Sequence, residues 1–463
     1  MPSAGCAQPA DVREGRLKGD RMKPIADLLS DAAEPLAGSP EDYDSLVDLV
    51  GDARFVLLGE ASHGTHEFYR ERAQITKRLI YQRGFNAVAV EADWPDAYRI
   101  NRFIHGVSAD IDSVEALSGF KRFPQWMWRN ADVLDFVGWL REHNDEQALV
   151  DRKCGFYGLD LYSLHASIEA VLDYLKKVDP EAAKRARENY SCFEHFGKEI
   201  QTYGYAAGFG LTPTCENAVV KELVELRRKA MDYLQRDGQV AADAYFCAEQ
   251  NARVVRNAEE YYRNMFRRDI SSWNLRDTHM MESLILLADH LDKSGAPGKI
   301  VVWAHNSHLG DARATQMSDR GEFNLGQLVR QRFKKEAVLI GFTTYEGTVT
   351  AASDWDGPAE RKNVRPGHPD SYEALFHDVD LPRFYLNLRQ PDLAPHLRAE
   401  RLERAIGVIY RPDTELVSHY FNARLSDQFD AVLHFDHTRA VEPLERTAEW
   451  ELGEVEETYP SGL

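Results

Sequence analysis

The sequence predicts an α/β fold with a mostly parallel central sheet flanked by helices and a large helical insertion, and three observations predict it. Short runs of continuous β-branched and aliphatic residues recur along the chain, as in strands covered on both faces. Between the early runs, apolar residues fall three and four apart, the spacing of helices that cross over a sheet. From Asp160 to Lys299 that helical spacing continues without an interrupting strand. It therefore reads as an insertion rather than as another crossover.

In chain order the expected strands are RFVLLG (54–59), NAVAVEA (86–92), CGFYGLD (154–160), KIVVWAH (299–305), AVLIGF (337–342), RFYLNL (383–388), IGVIY (406–410) and FDAVLHF (429–435). The first crossover helix is expected over 65–83, with Thr65 as its N-cap and Phe68, Ile75, Leu79 and Ile80 on its buried stripe. The segments ASIEAVLDYLKKV, ENAVVKELVELRRKAMDYLQ and THMMESLILLADHLD place the insertion at about 165–295, where it caps the sheet or walls a cleft. Arg276, Asp277 and His279 read as the opening of a helix, where an acid is favoured by the dipole. The polar stretch SDWDGPAERKNVRPG (353–367) reads as a loop. Residues 1–21 read as an unstructured extension with Met22 as an alternative start, and 22–463 as a single hydrolase-like catalytic domain ending in the polar tail GEVEETYPSG.

Composition removes whole classes of function. The net charge of −19 lacks the Lys and Arg excess that neutralises phosphate, so neither nucleic acid nor an anionic membrane is an expected partner. No run approaches the ~20 apolar residues of a membrane span, and the N-terminus lacks an apolar signal core. The five cysteines are scattered without a CxxC pair, which points to a reducing, cytoplasmic setting rather than to a disulfide scaffold.

The chemistry concentrates in VLLGEASHGTHEFYRER (56–72). An apolar strand stops at Gly59, and Glu60, Ser62, His63, His66 and Glu67 follow within eight residues. Ser62 sits one residue out of step with a Gly-x-Ser-x-Gly nucleophile elbow and reads as a turn residue. Glu60 and His63 emerge at a strand's carboxyl end, where open α/β sheets bind ligands, and Arg72 follows two turns along the helix. Other strands end likewise in Glu91 and Asp93, in Asp160, and in His305 and His308. Convergence of imidazole and carboxylate at several tips points to a site more strongly than any one residue.

Taken as a set, LLGEASHGTHEFYRER, VEADWPDAYRINRF, FPQWMWRN, GFYGLDLYS and VVWAHNSHLGDARAT resemble the erythromycin esterase family, over most of the chain from about residue 25 onward. The signatures EADWPDAYRINRF and SDWDGPAERKNVRPG look closer to its broad environmental branch than to the drug-resistance esterases. The resemblance implies cofactor-free hydrolysis of an ester or lactone, such as a macrolide ring, by imidazole-activated water. It places the base on His63, neighbouring carboxylates on Glu60 and Glu91, an arginine on Arg72, a distal histidine on His305 and a supporting one on His308. His66, Asp160, Trp94 and Trp128 stand as supporting or substrate-binding candidates, and a small ester or lactone is the expected partner.

The residues themselves support those roles physically. A carboxylate within hydrogen-bond reach orients an imidazole and stabilises its charged form, and Arg72 or His305 could face the oxyanion. Two other readings stay open. Glu60, His63, His66, Glu91, His305 and His308 offer ligands for a divalent metal, although neither HxxH pair has the i, i+4 spacing of HExxH. A degenerate scaffold serving as an interaction protein is the third.

Overall fold

The structure, a computed structural model, describes residues 25–149, 152–196, 200–234, 238–266, 269–293 and 295–453. The expected extension 1–21, Met22 and all but Gly453 of the polar tail lie outside the described residues. Described strands are β1 (Glu34–Pro35), β2 (Phe55–Leu58), β3 (Ala87–Asp93), β4 (Gly155–Asp160), β5 (Ile300–Trp303), β6 (Ala337–Ala351), β7 (Glu360–Val364), β8 (Arg383–Asn387), β9 (Arg401–Arg404), β10 (Tyr420–Ala423) and β11 (Ala431–Thr438).

Nine of them form one sheet in the order β1-β8-β11-β6-β2-β5-β3-β4, with β7 on the outer part of β6. From β11 to β4 every pairing is parallel, whereas β8, β1 and β7 join antiparallel. The fold class is the one the sequence predicts. Continuous apolar strands follow from two-sided burial: Val56, Leu58, Val88, Val90, Val301 and Trp303 enter one core, and Phe55, Leu57, Ala87, Ala89, Ile300 and Val302 enter the other. Each fully buried aliphatic side chain contributes roughly 1.5–3 kcal/mol relative to exposure.

Between β4 and β5 run the helices Leu164–Val178, Pro180–Tyr190, Ile200–Gly208, Glu216–Arg228, Gly238–Met265 and Asp269–Asp292, most of them around a third core of their own. Two cysteines in this region correct the expectation that the thiols stay unpaired: Cys192 and Cys215 form a disulfide with Cα atoms 5.9 Å apart. Helix packing rather than sequence spacing brings them together, since Cys215 precedes the helix Glu216–Arg228 while the Tyr203 hydroxyl accepts its N–H. Among the described residues no helix is long and apolar enough to cross a membrane.

Two expected elements differ. IGVIY is not a strand: Ile406 and Ile409 make only isolated bridges, to Ser62 and Ala352. Part of the expected loop 353–367 is β7, paired with a β6 that runs on to Ala351.

The segment after β2 is held against β6 by backbone contact. The Gly64 carbonyl accepts from Thr350 and Val441 N–H at 3.0 and 2.8 Å, and a Cβ on Gly64 would fall 1.8 Å from the Thr350 carbonyl oxygen. Backbone cannot swing aside as a side-chain tip can. Gly64→Ala is therefore expected to lower stability by about 1–3 kcal/mol, as overpacking does, and to displace His63. Denaturant unfolding together with turnover checks this; an unchanged midpoint and full activity would show the contact to be soft.

Candidate active site

The parallel order places the carboxyl ends of β2, β5, β3 and β4 side by side, and the reactive residues come from those ends. Glu60 and His63 follow β2, Glu91 and Asp93 lie within the last three residues of β3, Asp160 ends β4, and His305 caps the short helix after β5. His63, Glu91, Asp93 and Asp160 line a cavity of about 190 Å³ together with Asp96, Arg122 and Arg276, with Phe123, Trp128, Tyr162 and Trp355 among its aromatic walls, while Glu60 and His305 stand behind that lining.

The His63 imidazole is held at Nδ1, 2.9 Å from Glu60 Oε1, and the other Glu60 oxygen lies 2.7 Å from an Arg72 guanidinium nitrogen. With Nδ1 committed to a carboxylate, Nε2 is the nitrogen left for chemistry in the cavity. Burial pulls the imidazolium down, but Glu91 and the Glu60 hydrogen bond outweigh it, and the His63 pKa stands above the ordinary histidine value.

Arg72 does not reach the cavity, which corrects its expected place at the oxyanion. It is fully buried, with its charge directed at Glu60 and its guanidinium over the rings of Tyr69 and Trp303. The cations at the cavity wall are Arg276 and Arg122, and Arg276 is the one tied to Glu91 and Asp160. Its Nη2 donates to Glu91 Oε1 at 2.6 Å and to Asp160 Oδ2 at 2.7 Å, its Nε donates to Asp160 Oδ1 at 3.0 Å, and its Nη1 donates to His308 Nε2 at 2.9 Å. Glu91 also accepts the His305 backbone N–H at 2.9 Å. Burial opposes charge on Glu91, yet His308, Arg276 and His63 hold its carboxyl well below the usual range.

His305 packs against His63 with ring centroids 4.9 Å apart. Its Nδ1 accepts the Ser307 backbone N–H at 3.2 Å, so the neutral ring carries its proton on Nε2. Burial and the neighbouring His63 pull its pKa down to about 3, which keeps it neutral. His308 is one layer back, between Arg276 and Asp277 and stacked on Trp273 at 4.4 Å.

The remaining candidates divide. Trp128 and Asp160 line the cavity. Trp94 does not: it is 1% exposed and packs on Tyr157 and Phe246 in the core, because it starts a helix that turns inward beneath the strand tips. His66 faces Asp132 at 2.9 Å, on the helix His66–Arg83 and outside the cavity lining. Thr65 is that helix's N-cap residue, but its hydroxyl bonds to Ser62 rather than to the helix, so Ser62 is a turn residue.

Arg276 and Asp277, which the sequence suggested only as the opening of a helix, belong to the site and its support. The helix begins at Asp269, so both lie inside it, and Asp277 is fully buried, accepting from His308 and from the Leu325 N–H. A charged pair interrupting apolar helical spacing was the available signal. Arg122 is an omission: it chelates Asp93 through contacts of 3.0–3.2 Å, and both Arg122 and Arg276 lie 5.0 Å from the Tyr162 ring centroid.

Among the described residues no group of three or more His, Cys, Asp or Glu side chains is arranged to hold a metal ion. The would-be ligands are engaged with one another or with guanidinium groups: His63 with Glu60, and Glu91 and Asp160 with Arg276.

Against known proteins, the sequence model of the family described as erythromycin esterase matches residues 80–438, an interval that begins after the Glu60–Arg72 motif. YbfO of Bacillus subtilis, named as a hydrolase without a stated substrate, is 24% identical over 88% of this chain and 89% of its own length. Erythromycin esterase type II of Escherichia coli is 23% identical over 67% of this chain and 74% of its own. Among solved structures, a Bacillus cereus protein superimposes with a TM-score of 0.73 at 22% identity, covering 91% of this chain and 98% of that one. An erythromycin esterase mutant in its open conformation gives 0.65 at 18% identity, covering 90% and 99%.

Proposed function

The chain belongs to the erythromycin esterase family, and on that premise we propose that it hydrolyses a carboxylic ester or lactone with water activated directly by His63. The observation that carries this reading is the Arg72–Glu60–His63 chain ending in an imidazole at the cavity wall. Glu60 fixes the ring and stabilises the imidazolium, while Arg72 holds Glu60 in place.

In the proposed reaction His63 Nε2 takes a proton from water as the oxygen bonds to the carbonyl carbon. Negative charge then develops on the carbonyl oxygen, and we assign Arg276, one of the two arginines lining the cavity, to face it. Collapse breaks the bond to the leaving oxygen, giving acid and alcohol, or one ring-opened hydroxy acid from a lactone. We propose that no metal takes part, a reading supported by the engagement of the candidate ligands with arginines and with each other. The test is incubation of chelator-treated protein with a macrolide and a panel of simpler esters and lactones, followed by product mass. Ring opening with gain of one water, or cleavage of an ester into its acid and alcohol, is expected for at least one of them; neither on any substrate, with or without added divalent metal, overturns the hydrolase reading.

The aromatic walls suit a substrate with broad apolar surface, a macrolide being one such. Trp355 is 59% exposed and meets Phe123 edge to face at 5.1 Å beside the cavity. An exposed tryptophan at a site mouth is placed to cover substrate. Trp355→Ala is expected to raise KM about tenfold, equivalent to about 1.4 kcal/mol, with kcat little changed. Steady-state kinetics checks it, and an unchanged KM would remove Trp355 from the binding surface.

A further inference from the structure

We infer that Asp96 is the general acid that protonates the leaving oxygen, an assignment that rests on the hydrolytic reading above. Asp96 lies in the first turn of the helix Trp94–Ile104, one turn beyond Asp93, and lines the same cavity as His63. Its carboxyl rests against Gly119, where a Cβ would come within 2.8 Å of Oδ1.

What singles it out is how the positive charges are distributed. Of the four carboxyl groups lining the cavity, Glu91 and Asp160 share Arg276, and Asp93 is chelated by Arg122. Arg99, on the same helix as Asp96, is committed to Asp110. Asp96 is left without an ion-pair partner among the described residues. An arginine at hydrogen-bond distance favours the ionised form of its carboxyl, although burial still pushes Asp93 up against Arg122. An unpaired carboxyl in a sparsely solvated site beside another acid, by contrast, is the type that keeps a proton at neutral pH. The groups that act on Asp96 agree: burial first and Asp93 second push its pKa up to about 7, against the pull of Arg122, Arg99 and Lys121.

Base and acid roles then fall to different groups. His63 takes the proton of the attacking water; as the tetrahedral intermediate collapses, the bond from carbon to the leaving oxygen breaks and the Asp96 O–H proton passes to that oxygen. Asp96 becomes a carboxylate and His63 an imidazolium, and transfer of one proton between them through solvent resets the site. Net consumption is one water.

The experiment compares esters of one acid that differ in leaving group, a p-nitrophenyl ester and a primary alkyl ester. Nitrophenolate departs without protonation, whereas an alkoxide needs it. Asp96→Asn is expected to lower kcat on the alkyl ester by about 10²- to 10⁴-fold and to change the nitrophenyl rate by less than about threefold. Asp96→Glu should restore part of the alkyl rate. The wild type should lose alkyl-ester activity as pH rises through the Asp96 pKa, and Asp96→Asn should lack that limb. An equal loss on both esters, no loss on either, or a rise in KM alone, as for an anchor of a substrate cation, overturns the assignment. A wild type inactive on these two esters and on every ester and lactone of the panel above, or His63→Ala as active as wild type, fails the hydrolytic reading itself and the assignment with it.

Discussion

His63→Ala is expected to lower kcat by about 10²- to 10⁴-fold, the contribution of a positioned general base, while leaving the fold in place. His63 Nδ1 makes one side-chain hydrogen bond, to Glu60, and Glu60 keeps its ion pair with Arg72 when the ring is removed. The stability cost should stay within about 1–3 kcal/mol, that of one buried acceptor left unpaired. In the wild type the base must be neutral, and its pKa is raised by Glu91 and Glu60 against burial. The kcat/KM value should therefore fall as pH drops through a pKa raised from the ordinary histidine value. Initial rates across pH for both proteins check the prediction. Residual activity near wild type would remove His63 from the chemistry.

Arg276→Met is expected to be damaging in two separable ways. The substitution keeps length and apolar stem but leaves Glu91 and Asp160, both almost wholly buried, without their shared cation. Removing one partner of a buried pair costs about 3–5 kcal/mol, because the remaining charge stays desolvated. Activity should fall as well, by about 10²- to 10³-fold if Arg276 faces the oxyanion. Arg276→Lys keeps the charge and loses the fork that spans two carboxylates. It should recover much of the stability and less of the rate. Denaturant midpoints and kcat for both variants separate the effects; a stable, fully active Arg276→Met would show the cation to be ornamental.

The fold was legible because strand and helix periodicities are local. Val56 and Leu58 face one core and Phe55 and Leu57 the other, so a continuous apolar run was the correct sign of two-sided burial. IGVIY carried the same sign and is not a strand, since bridges at Ile406 and Ile409 tie it down without a ladder. The residues at the strand tips were legible too, because in a parallel sheet all those tips point to one end.

Partnership across the fold was not legible. Arg72 and Arg276 are both arginines on helices, and only packing decides that one is buried behind Glu60 while the other reaches the cavity. Trp94 and Trp128 looked equivalent, yet one starts a helix facing the core and the other lines the cavity. Cys192 and Cys215 are brought together by helices with no spacing rule between them. Asp96 gains its significance from which neighbouring acids already hold a cation, a property of the assembled site.

Attack by water activated at His63, with no covalent intermediate, can be read by quenching the enzyme within its first turnover and weighing the intact protein. Together with products whose summed mass exceeds that of the substrate by one water, the expected result is a protein of unchanged mass. A protein heavier by the acyl group, attached at Ser62 or at His63, would contradict direct attack by water.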